Sequence, residues 1–145
     1  MDKYDCLKLD NQLCFPLYAC SRQIVRAYTP YLKELDLTYT QYITLMVLWE
    51  EGTVPIKELT SRLHLDTGTM TPLLRKMEKN GLIIRSRSTE DERVVEITLT
   101  EAGWALREKA VKIPQQISCC VTLDPEEAQT LYGLLYKLLD CETKQ

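Results

Sequence analysis

One cysteine is set apart from the rest by its surroundings. Cys14 lies in Leu9–Asp10–Asn11–Gln12–Leu13–Cys14–Phe15, the opening of a long amphipathic run. Leu13, Leu17, Cys20, Ile24 and Tyr28 follow at steps of 4, 3, 4 and 4, the stripe of one helix face. Asp10 or Asn11 has the side chain to cap such a helix. With Asp10 as the cap, Cys14 falls just past the first turn, where the positive end of the helix dipole favours a thiolate. A thiolate there would be a nucleophile open to oxidation. Cys6, Cys20 and Cys141 read as small packing residues. The chain has 6 Cys and 1 His and lacks CxxC, so a zinc site is poorly supported and no metal or cofactor is expected. A chain of 145 residues builds a core without disulfides, so free thiols are expected.

A second set of residues has the chemistry to read DNA. Thr69, Thr71, Pro72, Arg75 and Lys76 share one side of a helical run, opposite Met70, Leu73, Leu74 and Met77. Thr and Pro offer contacts to thymine methyls and phosphates, and Arg75 offers a bidentate fork to guanine. Arg85 and Arg87 follow on an extended segment and suit the phosphate backbone. Arg93 would enter a narrow, A·T-rich minor groove. Asp91, two residues before it, is placed to brace that arginine.

These residues need a particular scaffold. Ile56, Leu59 and Leu63 recur at helical spacing, and His64–Leu65–Asp66–Thr67–Gly68 breaks the pattern. The helix carrying Arg75 ends at Asn80–Gly81, a left-handed cap. Leu82–Arg87 and Arg93–Leu99 read as strands around a polar turn, Ser88–Glu92. Helix, turn, helix and hairpin make a winged helix, whose second helix enters a major groove. Pro72 fits a helix that starts near Gly68 better than one that starts at Asp66, and the sequence leaves the choice open.

The flanks are helical. Thr29–Pro30 interrupts the first helix, with a short helix then running to about Leu35. Thr38 and Gln41 form a capping box for a helix that stops near Gly52, and Thr53–Val54–Pro55 suits a third strand. Thr100–Glu101 opens a helix with Ala102, Leu106, Ala110 and Ile113 as its stripe, kinked or ended by Pro114. Asp124–Pro125–Glu126–Glu127 is a strong helix start. The last helix carries Ala128, Leu131, Leu135 and Leu138 with Leu134 and Leu139 beside them, more apolar surface than one small domain covers. The first and last helices are therefore expected to pack against a second subunit, so that two winged helices on a two-fold axis read two half-sites of a pseudo-palindromic operator. The expected fold is mainly α with a small β-hairpin wing. It is a single domain over 1–145, with 36–100 as the DNA-binding region and 1–35 and 101–145 as a helical dimerisation region.

Charge agrees in sign. The net charge is -3, but Lys57 to Arg93 holds eight basic and six acidic residues, a net of +2 against −5 for the rest. No apolar run approaches the roughly 20 residues that span a bilayer. The N-terminus lacks the basic-then-apolar order of a signal peptide, so a cytoplasmic location is expected.

The whole layout resembles the MarR family of winged-helix regulators, with the wing ending Asp91–Glu92–Arg93 before Leu99–Thr100. Leu9–Phe15, Tyr28, Leu37–Tyr42 and Thr69–Leu74 sharpen the likeness to its organic-hydroperoxide-sensing branch. The resemblance implies a homodimeric repressor that leaves double-stranded operator DNA when Cys14 is oxidised. It further implies that Tyr28 and Tyr39 of the partner subunit hydrogen-bond the reactive sulfur, and that a second cysteine, here Cys119 or Cys120, resolves the sulfenate across subunits. Phenol hydroxyls can stabilise a thiolate in this way. Leu13, Phe15 and Leu17 would favour an organic over a mineral peroxide. The alternative within the family is a repressor released by a small phenol or aromatic acid, with Cys14 merely buried. A peroxidatic thiol enzyme would need a catalytic scaffold beyond one thiol, and none is evident.

Overall fold

Capping chemistry sets several helix boundaries in the computed structural model, which describes residues 2–142. Two single 3-10 turns, Asp5–Leu7 and Leu9–Asn11, precede α1 (Cys14–Glu34). Then come α2 (Tyr39–Glu51), β1 (Thr53–Pro55), α3 (Ile56–Leu63), α4 (Thr67–Lys79), β2 (Ile83–Arg87), β3 (Val95–Leu99) and α5 (Glu101–Ala110). The chain forms two compact units, one ending at Ile113 and one beginning at Pro114. The second holds all but the first residue of α6 (Ile113–Ser118), and α7 (Pro125–Glu142).

Three starts and one stop follow from the side chains the sequence supplies. Thr38 Oγ1 accepts from the Gln41 backbone N–H at 3.3 Å while Gln41 Oε1 accepts from the Thr38 N–H at 3.0 Å, the reciprocal capping box. Asp124 and Glu127 exchange the same pair of bonds at 2.9 and 3.1 Å ahead of α7. Asp66 Oδ1 accepts from the Thr69 N–H and starts α4. At the far end of α4, Gly81 takes φ 74°, with the Leu82 N–H on the Met77 carbonyl and the Gly81 N–H on the Glu78 carbonyl. That is the left-handed closure expected from Asn80–Gly81.

Three boundaries differ from the sequence reading. Neither Asp10 nor Asn11 caps α1: Asn11 Nδ2 is spent on the Asp5 carbonyl at 2.7 Å, and the residue before α1 is Leu13. Cys14 is thus the first residue of α1 rather than one just past its first turn, and Pro16 is the third, where no intrahelical N–H is missed. Pro30 does not break α1. The Arg26 carbonyl that loses its partner lies on an exposed residue, so water can take the place of the missing N–H. Pro114 sits at the second position of α6 rather than ending α5, which stops at Ala110. Pro72 follows the pattern of Pro30: α4 begins at Thr67, so Pro72 is in its second turn, opposite an exposed Gly68.

The sheet has the order β1-β3-β2, antiparallel throughout, with Val54 facing Ile97 and Arg85 facing Ile97 from the other side. Its inner face closes over Leu45 and Leu48 of α2, Leu59 of α3, and Met70, Leu74 and Met77 of α4, all fully buried. Each fully buried Leu or Met contributes about 1.5–3 kcal/mol over an exposed one, and these residues carry the helix-turn-helix.

Gly103 is where α5 meets this core. A Cβ there would lie 2.3 Å from the Leu82 carbonyl oxygen and 2.9 Å from Leu99 Cδ2. Its carbonyl accepts the Trp49 indole N–H at 2.9 Å. Gly103→Ala is expected to destabilise the fold by about 2 kcal/mol, an overpacking cost of ~3 reduced by alanine's ~1 kcal/mol helix preference. Thermal denaturation checks this: an unchanged or raised midpoint would mean the backbone yields freely.

Candidate thiol sensor and nucleic-acid interface

Cys14 is exposed, as are all six cysteines. Exposed apolar side chains surround its segment: Leu13 is 71% and Phe15 44% exposed, with Ile24 and Val25 further along α1. Of α1, only Leu32 is buried within the chain. α7 likewise presents Leu131, Leu134 and Leu138, with Tyr132 and Tyr136 paired ring to ring at 4.7 Å. Cys119 and Cys120 follow α6, each thiol turned back on a carbonyl one turn earlier, Gln115 and Gln116.

Tyr28 and Tyr39 come together within one chain. Their rings meet edge to face at 5.0 Å, and Tyr42 completes a triangle at 5.8 Å from Tyr28 and 6.4 Å from Tyr39. Burial raises all three phenols above the ordinary tyrosine range, with Tyr28 adding to the shift of Tyr39, and Tyr28 and Tyr39 to that of Tyr42. The hydroxyls therefore stay protonated and keep a hydrogen to donate. Tyr42 is buried and packs on Trp49 at 6.4 Å, linking the cluster along α2 to the indole that bonds Gly103. Its place three residues after Tyr39, on the same helix face, was the signal for it.

The candidate DNA residues lie on α4 and the wing. Thr69, Pro72, Arg75 and Lys76 are exposed and Thr71 is half-buried. The Asp66 carboxyl that caps this helix is held below the usual carboxylate range by bonds from the backbone and side chain of Thr69. At the wing, Asp91 grips Arg93 through both oxygens, Oδ1 to Nε at 3.1 Å and Oδ2 to a terminal nitrogen at 3.2 Å, and also accepts the Arg93 backbone N–H. This pairing lowers the Asp91 carboxyl and leaves the Arg93 side chain 91% exposed. Arg87 is bonded to the Glu92 carbonyl across the hairpin at 2.8 Å. Arg85 is tied to Glu78 of α4.

The profile of the transcriptional regulator SarA/Rot family matches residues 26–110. The chain is 49% identical over 139 residues to the organic hydroperoxide resistance transcriptional regulator of Bacillus subtilis, covering 96% of this chain and 95% of that protein. The chain belongs to the MarR family of winged-helix transcriptional regulators. Reduced AbfR bound to DNA, AbfR being a protein of Staphylococcus epidermidis, superposes with a TM-score of 0.76 at 34% identity, covering 95% of this chain and 96% of that one. The same protein in a disulfide-formed state gives a TM-score of 0.65 at 34% identity over 94% and 96%. The mainly α fold with a small wing, expected from sequence, is the one found. As a member of this family the chain is a DNA-binding regulator of transcription. No helix among the described residues is long and apolar enough to cross a membrane.

Proposed function

We propose that this regulator is a homodimeric cytoplasmic repressor that binds a pseudo-palindromic operator and releases it when an organic hydroperoxide oxidises Cys14. One observation carries the reading: the thiol and the phenols lie far apart on α1. Cys14 and Tyr28 are fourteen residues apart on one continuous helix, about 21 Å along its axis at 1.5 Å per residue. A Tyr28–Cys14 hydrogen bond thus needs a second copy of the chain. The unpaired apolar faces of α1 and α7 supply the surface for that copy.

The chemistry follows from the thiol. The Cys14 sulfur attacks the terminal peroxide oxygen, the O–O bond breaks, and the alkoxide leaves as an alcohol after taking a proton. Sulfur loses two electrons and becomes a sulfenic acid. Protonated Tyr28 and Tyr39 donate to the sulfur and orient it. Cys119 or Cys120 of the other subunit then condenses with the sulfenate, releasing water and forming a disulfide. The existence of a disulfide-formed state of AbfR supports this step. The thiol acts once per signal and not as the centre of an enzyme.

The test is release from DNA. Reduced protein is bound to a duplex selected from a random-sequence pool, then titrated with cumene hydroperoxide or with salicylate. Hydroperoxide is expected to release the duplex near one equivalent per chain, with dithiothreitol restoring binding and salicylate doing nothing. Release by salicylate alone would replace thiol chemistry with a phenolic ligand. Peptide mapping of the oxidised sample tells Cys119 from Cys120.

A further inference from the structure

Arg85 sits among residues suited to phosphate contact, yet its guanidinium already has a partner. Nε and a terminal nitrogen both bond Glu78 Oε2, each at 2.9 Å. Glu78 lies in the last turn of α4 and Arg85 at the third position of β2, so the bond joins the recognition helix to the base of the wing. Among the described residues it is the side-chain hydrogen bond that spans these two elements. Both side chains are about a third exposed, 31% for Arg85 and 39% for Glu78, so the pair is partly shielded from water.

The surrounding backbone makes the joint matter. Only Asn80, Gly81 and Leu82 separate α4 from β2. Thr100 fixes that turn from the other side, its hydroxyl donating to the Gly81 carbonyl at 2.6 Å and its N–H to the Leu82 carbonyl at 3.1 Å. The turn is therefore anchored, and the Glu78–Arg85 pair adds a side-chain tie between helix and hairpin to the buried contacts of Met77 and Ile83. Arg93 lies beyond the far end of β2, where a small change of angle at the base becomes a large displacement at the tip.

We infer that Glu78 and Arg85 are positioning residues for operator recognition, a clamp that makes recognition helix and wing engage DNA as one body. Because Glu78 neutralises Arg85, the arginine adds little to phosphate attraction. The inference rests on operator binding by this chain, and wild-type affinity for the selected duplex is the control for that reading.

The test is a double-mutant cycle in operator affinity, measured by fluorescence anisotropy across a range of salt. Glu78→Ala and Arg85→Ala are each expected to weaken binding roughly tenfold, and the double variant no further, as coupled neighbours do. The slope of log affinity against log salt should stay at the wild-type value in all three. The exchange Glu78→Arg with Arg85→Glu should recover most of the loss. The inference is overturned if Glu78→Ala binds as tightly as wild type or tighter, if the two losses add, or if Arg85→Ala alone flattens the salt slope by about 0.9, the mark of one lost phosphate contact. Thermal melts of the variants show whether each is folded. Should the exchanged pair not fold, the single variants and their salt slopes decide the question.

Discussion

Cys14→Ser is expected to bind the operator as tightly as wild type and to ignore organic hydroperoxide. The side chain is exposed at the first residue of α1, an element other than α4 and the wing, so removing the sulfur takes no side chain from the expected DNA-reading residues. Serine keeps the size and cannot form a sulfenate. In wild type, one equivalent of hydroperoxide should lower affinity roughly 100-fold, toward the upper end of a coupling free energy of ~1–3 kcal/mol. In the variant the change should stay within about twofold at the same dose, a coupling near zero. Anisotropy before and after oxidant measures both, and mass spectrometry reports oxygen on Cys14 in wild type only. A serine variant that still lets go of DNA on oxidation would move the sensor to another cysteine; one that fails to bind at all would make Cys14 structural.

Helix α2 joins the tyrosine cluster to the winged-helix core. This helix carries Tyr39 and Tyr42, which meet Tyr28 of α1, and Leu45 and Leu48, which form the centre of the winged-helix core. Trp49 extends the same helix to α5 through the Gly103 carbonyl. A change in how the phenols are held is thus a change in the element on which α3, α4 and the sheet pack.

What the sequence made readable was chemistry confined to one turn. Thr38 with Gln41, Asp124 with Glu127, and Asn80 with Gly81 each place donor and acceptor within a few residues, so their spacing alone predicts the boundary. The same logic failed at Asn11, because its amide goes to Asp5 across two 3-10 turns, a partner no helix rule suggests. It failed at Pro30 because the cost of a proline depends on whether the orphaned carbonyl faces water, and that is a property of the folded surface. The triangle of Tyr28, Tyr39 and Tyr42 was partly visible: the family resemblance picked out Tyr28 and Tyr39, and the spacing of Tyr42 from Tyr39 puts it on the same face of α2, while the approach of Tyr28 needed the crossing of α1 and α2. Glu78 lay wholly out of reach. In sequence it is one acidic residue on a basic helix, and only the turn at Gly81 brings it to Arg85.

Arg93→Ala is expected to lower operator affinity roughly 10–100-fold, in line with ~1–3 kcal/mol for an arginine that reads a groove. Arg93 is the most exposed cation of the wing for which an ion pair is formed, and Asp91 holds its guanidinium by both oxygens while also fixing its backbone N–H. The arginine is therefore pre-set in one orientation before DNA arrives, which reduces the entropy lost on insertion. A narrow A·T-rich minor groove concentrates negative potential and would take this side chain best, so the loss should be larger on duplexes with an A-tract under the wing than on G·C-substituted ones. The salt slope should change little, because Asp91 already offsets the Arg93 charge and the contact is to a groove rather than to a phosphate. Oxidation of Cys14, followed by mass spectrometry, should proceed at the wild-type rate, because Arg93 belongs to the wing and Cys14 to α1. An affinity equal to wild type at physiological salt would remove the wing from the interface and leave recognition to α4 alone.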